Sequence, residues 1–264
     1  MTRARKAILI AMCGGLAALG GSPVYCAETL TLSDVWTDAK LYFTSPIRWD
    51  TTDWLLFGGS VAAIAAAHQA DGNVRRHFAS GSNALNGGQD PHSLRDAAPA
   101  AAIVVGTWGV ANLLGDSAGR TEAYTMIEAA LFSAVSAEGL KYAAGRDRPD
   151  QTTRVDDWRA GGSSFPSLHA TLASAIGTVL AESGSDDYRW VRRILGYGIA
   201  GATAYIRVRD NEHWLSDTVA GAAVGAATAR FTLNRREARA RKWDVSIGPA
   251  QGGGVSVGFN MTPY

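Results

Sequence analysis

Between residues 32 and 242 the chain runs through long stretches rich in Ala, Gly and Leu, separated by polar, glycine-rich breaks. The stretch 32–43 reads as a short amphipathic helix that stops before Pro46. Five or six longer helical stretches follow, roughly over 53–68, 97–114, 122–142, 167–182, 190–206 and 213–233. The segments 71–93 and 147–164 read as loops. No run alternates with period two before residue 243, so the pattern predicts an all-α domain, a bundle of about six core helices. Small residues let such helices pack closely, and Glu128, Glu138 and Asp217 are charges placed well inside them. The last twenty or so residues change character. Val245 and Ile247, then Val255, Val257 and Phe259, alternate with polar or small residues around Gly252-Gly253-Gly254. That is the signature of a short C-terminal β-hairpin. A plain surface hairpin is the simplest reading, with capping the bundle, touching a membrane or pairing with another chain as alternatives.

The N-terminus has a different pattern. Arg3, Arg5 and Lys6 precede an uncharged apolar run over 7–21, the layout of a secretory signal. Cleavage fits after Gly20, Cys26 or Ala27, and an uncleaved anchor is the alternative. The expected organisation is a signal peptide over 1–27, a helical domain over 28–242 and a hairpin tail over 243–264. Export places the protein in the periplasm or cell envelope, with membrane association as an option. The only two cysteines, Cys13 and Cys26, lie in or beside the signal, so the mature chain has no internal disulfide. No Cys/His cluster has zinc spacing, and neither a metal nor a cofactor is expected. A net charge of +1 over 264 residues gives no pointer to nucleic acid. Apolar residues make up 47%, enough for a real core. The mean hydropathy of −0.03 is low for a chain with about six full spans of ~20 apolar residues each. The basic stretch 235–242 reads as a solvated helix end, with an anionic lipid surface as the alternative.

Three clusters carry residues that packing alone would not select. The first runs from Lys141 to Pro149, with Arg148 seven residues after Lys141. On a continuous helix, ended there by Pro149, the two cations share a face and point at one anion. The second is Phe165-Pro166-Ser167-Leu168-His169 at the start of an apolar helix. Its free amides and the Ser167 hydroxyl suit a phosphate, and His169 sits within reach of a bound ester. An N-cap serine with a surface histidine is the plainer alternative. The third runs from Arg207 to Asp217 and holds His213 four residues before Asp217. On one helix face the carboxylate accepts one ring N–H and leaves the other nitrogen free to attack. A structural His–Asp pair is the plainer alternative. His68, His77 and His92 match no motif and read as surface or loop residues.

Together the clusters resemble the three-part signature of the type 2 phosphatidic acid phosphatase family, which shares its pocket with vanadium-dependent haloperoxidases. That signature is Lys, six residues, Arg-Pro; then Pro-Ser-Gly-His; then Ser-Arg, five residues, His, three residues, Asp. Lys141, Arg148 and Pro149 complete the first part. Pro166, Ser167 and His169 give the second, with Leu168 in place of Gly. Arg207, His213 and Asp217 give the third, with Ile206 in place of Ser. The resemblance covers about residues 120–230.

The resemblance implies a phosphatase that needs no metal and works through a phosphohistidine. In that reading Lys141, Arg148, Arg207, Ser167 and the amide at Leu168 hold the phosphate. His213 attacks phosphorus, Asp217 orients it, and His169 serves as acid and then base. The implied partner is a phosphorylated lipid, an isoprenoid diphosphate or a small phosphoester, with membrane surface contact as one expectation. Two other functions share the pocket. One is a vanadate-dependent haloperoxidase, whose chains are usually much longer. The other is a phosphate- or lipid-binding protein without turnover, for which Leu168 and Ile206 are the argument.

Overall fold

In a computed structural model of the chain, residues 31–78, 93–184, 188–240, 244–249 and 255–260 are described; for 93–100, 240 and the last two segments this means the backbone only. The expected signal segment, Cys13, Cys26 and His92 lie outside them.

Seven α-helices make up the domain among the described residues: α1 Leu32–Phe43, α2 Thr51–Phe78, α3 Ser93–Leu114, α4 Ser117–Ala144, α5 Leu168–Glu182, α6 Arg189–Arg209 and α7 Leu215–Ala240. A short 3₁₀ turn, Ser45–Arg48, follows α1. Several ends are written in the sequence. Thr31 caps α1, accepting from Asp34 N while Asp34 returns a bond to the Thr31 N–H. Asp116 caps α4, and Gly145 closes it with φ 54°. Ser167 caps α5, and its hydroxyl oxygen accepts from Ala170 N.

The apolar helix α5 is the centre of the bundle, packed by α4, α6 and α7. Met126 and Ala129 of α4, Ala175, Ile176, Val179 and Leu180 of α5, and Ala229 of α7 form its core. Glycines set how closely the helices cross. A Cβ on Gly221 of α7 would stand 2.5 Å from Ser167 O, and one on Gly225 2.2 Å from Thr171 O. Only hydrogen fits there, so α7 is drawn against the first turns of α5. The short helix α1 lies across α4 and α7, where Tyr42 Oη bonds Ser136 and Thr228 at 3.0 and 2.8 Å. No helix among the described residues is long and apolar enough to cross a membrane.

The expected fold class needs correction. The helical bundle fits, with six long helices and the short α1 among the described residues, but the hairpin is not a component of it. Asp244–Pro249 and Val255–Asn260 pair antiparallel with each other, and among the described residues that two-stranded ribbon is the whole sheet. The core cluster draws only on helices.

Helix bounds shift as well. Helix α2 runs ten residues past His68, through Asp71-Gly72-Asn73, which local sequence marks as a turn. Packing of α2 against α7 overrides that preference. Helix α4 ends at Gly145, four residues before Pro149, so Arg148 lies beyond the helix that carries Lys141. Helix α7 begins at Leu215, so His213 precedes it and does not share a helix face with Asp217. The basic stretch after 235 is not simply solvated: Arg235 and Arg239 pair with the buried Asp38 of α1 at 3.0 and 2.6 Å.

Candidate active site

Five helix ends meet on one side of the bundle: the C-terminal parts of α2, α4 and α6 and the first turns of α5 and α7. The two first turns also bring the positive ends of their dipoles. Loop 145–164 folds back over the end of α4. Arg159 N, Ala160 N and Ser164 N donate to Ala144 O, Gly145 O and Arg146 O at 2.9 Å each. That return sets Ser163 O 2.6 Å from Lys141 Nζ and Ser164 beside Asp217.

The turn between α6 and α7 places the third cluster. Asn211 takes a left-handed φ of 59°, which Asn tolerates better than most residues. The chain reverses there, and Glu212 N and His213 N both donate back to Arg207 O. The Glu212 carboxylate is thereby set against the Arg207 guanidinium as an ion pair. Asp217, in the first turn of α7, reaches back to accept from Trp214 N at 3.0 Å.

His213 and Asp217 are both buried, with Nδ1 3.6 Å from Asp217 Oδ2. That is ion-pair range but too long for a hydrogen bond. The other bonds of Asp217 are short. Oδ1 accepts from Arg146 Nη1 at 2.7 Å, and Oδ2 accepts from Ser164 Oγ at 2.5 Å. Burial alone would raise the Asp217 carboxyl; the His213 ring, Arg146 and Ser164 together hold it below the usual carboxylate range. Burial lowers His213 to about 4, helped by Lys141 and Arg148 and opposed by Asp217. Burial also lowers Lys141 to about 8; Arg148 and Arg207 push the same way, while Glu138 and Asp217 oppose. The ring is therefore neutral and the carboxylate charged near neutral pH.

Lys141 thus lies within electrostatic reach of Arg148, Arg207 and Asp217, and His213 within reach of Lys141, Arg148 and Asp217. Ser167 is tied to the same place by its N–H, which donates to Asp217 O at 3.0 Å. Leu168 is the first residue of α5, with ordinary helical backbone, and His169 follows it; both are half-buried.

Other residues at the site escape motif reading. Arg146, inside the first cluster, is fully buried and pairs with both Asp217 and Asp71. Asp71 comes from the extended end of α2, where a loop was expected. His68, expected on the surface, lies within 3.1 Å of Asp71 and 2.9 Å of Asp156 through its two ring nitrogens. A third cation between Lys141 and Arg148 was the one local signal for Arg146; nothing local marked Asp71, His68 or Ser164.

Comparison with known proteins covers the same part of the chain. The sequence model of the PAP2 superfamily matches residues 122–241. A lipid A 1-phosphatase of Porphyromonas gingivalis is 36% identical over 85 residues, 32% of this chain and 17% of the relative. The match therefore spans a small part of that protein's length. No solved structure matches significantly. Residues 122–241, which carry most of α4 to α7 and nearly all the converging side chains, are therefore the part of the chain that is similar to the PAP2 superfamily.

Proposed function

We propose that the protein is a phosphatase that cleaves phosphate esters through a phosphohistidine on His213. The observation that carries this reading is the convergence of three cations, Lys141, Arg148 and Arg207, on a buried His–Asp pair. A phosphoryl group in flight needs fixed positive charge and an in-line nucleophile more than covalent help. Lys141 spends one N–H on Ser163 O and keeps two for a phosphate oxygen. Arg207 shares its charge between Glu212 and the ligand. The first-turn amides at Leu168 and His169 add neutral donors.

Asp217 stays ionised and, 3.6 Å from Nδ1, favours the tautomer that carries its proton there, so Nε2 is the attacking atom. Nε2 bonds to phosphorus as the P–O ester bond breaks, and the leaving oxygen takes a proton from His169. Water then attacks the same phosphorus, His169 removes its proton, and the N–P bond breaks to release phosphate. Three cations neutralise the phosphate charge, so the reaction runs without a metal.

A lipid phosphate is the favoured substrate class. The partial likeness to a lipid A 1-phosphatase supports it. So does an exposed apolar corner at the start of α2, where Ile47, Leu55 and Leu56 surround a Trp49–Trp54–Phe57 cluster with centroids 5.0–5.9 Å apart. Such a corner suits contact with a membrane surface in the cell envelope. The test is turnover by the full chain of lipid, isoprenoid and soluble phosphates, with EDTA and with vanadate. Lipid phosphates should be hydrolysed best, EDTA should be harmless, and vanadate should inhibit. No turnover of any substrate would contradict the reading.

A further inference from the structure

Behind the His213–Asp217 pair lies a second layer of buried charge, and half of it comes from outside the part of the chain that is similar to the PAP2 superfamily. Asp71 of α2 is buried, and its carboxylate is fully engaged. Oδ1 accepts from Ser216 N at 2.9 Å. Oδ2 accepts from Ser216 Oγ at 2.6 Å and from Arg146 Nη2 at 2.8 Å, and lies 3.1 Å from His68 Nδ1. Arg146 in turn spans two carboxylates. Nη1 donates to Asp217 Oδ1 at 2.7 Å and to Ser216 Oγ at 2.8 Å; Nη2 also donates to Val155 O at 2.8 Å. The guanidinium carbon stands 4.5 Å from the Trp158 ring and 5.1 Å from the Trp214 ring, so the fork cannot swing.

We propose that Asp71 and Arg146 are positioning residues for the His213–Asp217 pair, which makes helix α2 part of the active site. This rests on the phosphatase reading above. The geometry supplies two effects. By holding Oδ1, Arg146 fixes the rotation of the Asp217 carboxylate, and Oδ2, which accepts from Ser164 Oγ and Trp214 N, faces His213 Nδ1 at 3.6 Å. An unshared guanidinium on Asp217 would also draw away the negative charge that the ring needs when phosphorylation makes it cationic. Asp71 takes half of that guanidinium, so Asp217 keeps its field at Nδ1. A cluster serving stability alone is poorly explained by two buried carboxylates on one guanidinium, since apolar packing commonly does as well. Ser216, bonded to both Asp71 and Arg146, locks the spacing of the two layers.

The test is a double-mutant cycle on the full chain, read as kcat and KM on p-nitrophenyl phosphate. Asp71→Asn should lower kcat about 10- to 100-fold, as loss of an orienting outer partner does, and leave KM nearly unchanged. Combining it with Asp217→Asn should cost no more than about twofold beyond Asp217→Asn alone, because both act through one group. If Asp71→Asn keeps the wild-type kcat, or if the two losses multiply, the inference is overturned. Should Asp71→Asn fail to fold, Ser216→Ala removes the bridging hydroxyl and leaves every charge in place. A drop in its kcat without a change in KM supports the inference; a wild-type kcat overturns it. A wild-type protein without turnover would sink the phosphatase reading and this inference with it, whereas loss in Asp217→Asn but not in Asp71→Asn sinks only the inference.

Discussion

The two ends of the bundle each bury a carboxylate, and the two are treated in opposite ways. At the start of α4, Glu122 pairs with Arg192 of α6 and accepts from Ser183 Oγ at 2.9 Å. Burial still wins there and pushes the Glu122 carboxyl up. Near the other end of α4, about 28 Å away at 1.5 Å per residue, Asp217 is as deeply buried and is held down instead. Asp217 gathers donors from Arg146, Ser164 and the Trp214 amide, beside the His213 ring, whereas Glu122 has one cation and one hydroxyl. In the Glu122 cluster Arg192 meets its counter-ion directly, and Asp116 is near enough to add repulsion. The Asp217 cluster stands beside Lys141, Arg148 and Arg207, whose mutual repulsion is part of what lowers Lys141. A pair joins helices, while cations that repel one another favour an anion between them.

Breaking each cluster should read out differently in kcat. Asp217→Asn should cut kcat by as much as ~10⁴-fold, the loss seen when a histidine's orienting carboxylate is neutralised, and should also lower the melting temperature, because Arg146 and Ser164 hold that charge in the fold. Glu122→Ala should spare kcat. Leaving Arg192 buried without its partner should cost about 3–5 kcal/mol in denaturant unfolding, with kcat unchanged at temperatures where the protein is folded.

A milder perturbation shows in the pH profile. His213 must be neutral to attack, so kcat/KM should fall as pH drops through about 4. Lys141 must be charged to hold phosphate, so kcat/KM should fall as pH rises through about 8. Lys141→Arg keeps its charge at every accessible pH and should remove that alkaline limb while leaving the acid limb in place. An unmoved alkaline limb would show that another group sets it.

The smallest expected effect concerns Leu168. Its side chain at the start of α5 suits an apolar wall beside the leaving group. Leu168→Gly should then lower efficiency on lipid phosphates about tenfold more than on small polar esters, the scale of one apolar pocket contact. An equal change on both substrates would reduce Leu168 to packing.

Much of this was legible in the sequence, because the helices are long and periodic and the three motifs are local. The span of α1, the Ser167 cap of α5 and the bundle itself follow from near-neighbour rules. What those rules missed depends on distant partners. Asp71-Gly72-Asn73 reads as a turn, yet α2 continues because Asp71 finds the Ser216 amide, 145 residues away. Lys141 and Arg148 were expected to share a helix face, as were His213 and Asp217. In each case the chain leaves the helix, and a loop or turn makes the approach instead: Gly145 ends α4, and Asn211 turns the chain ahead of α7. The ion pair between Arg207 and Glu212 also depends on that turn, which spacing alone does not reveal.

The central claim is that His213 carries the phosphoryl group, and a rapid quench tests it most directly. Wild-type protein is mixed with a radiolabelled phosphoester and denatured within one turnover at high pH, where phosphohistidine persists. The account predicts label on the peptide that contains His213, none on the His213→Ala protein, and almost no steady-state activity in that variant. Label retained by His213→Ala, or a variant that still turns over, would contradict it.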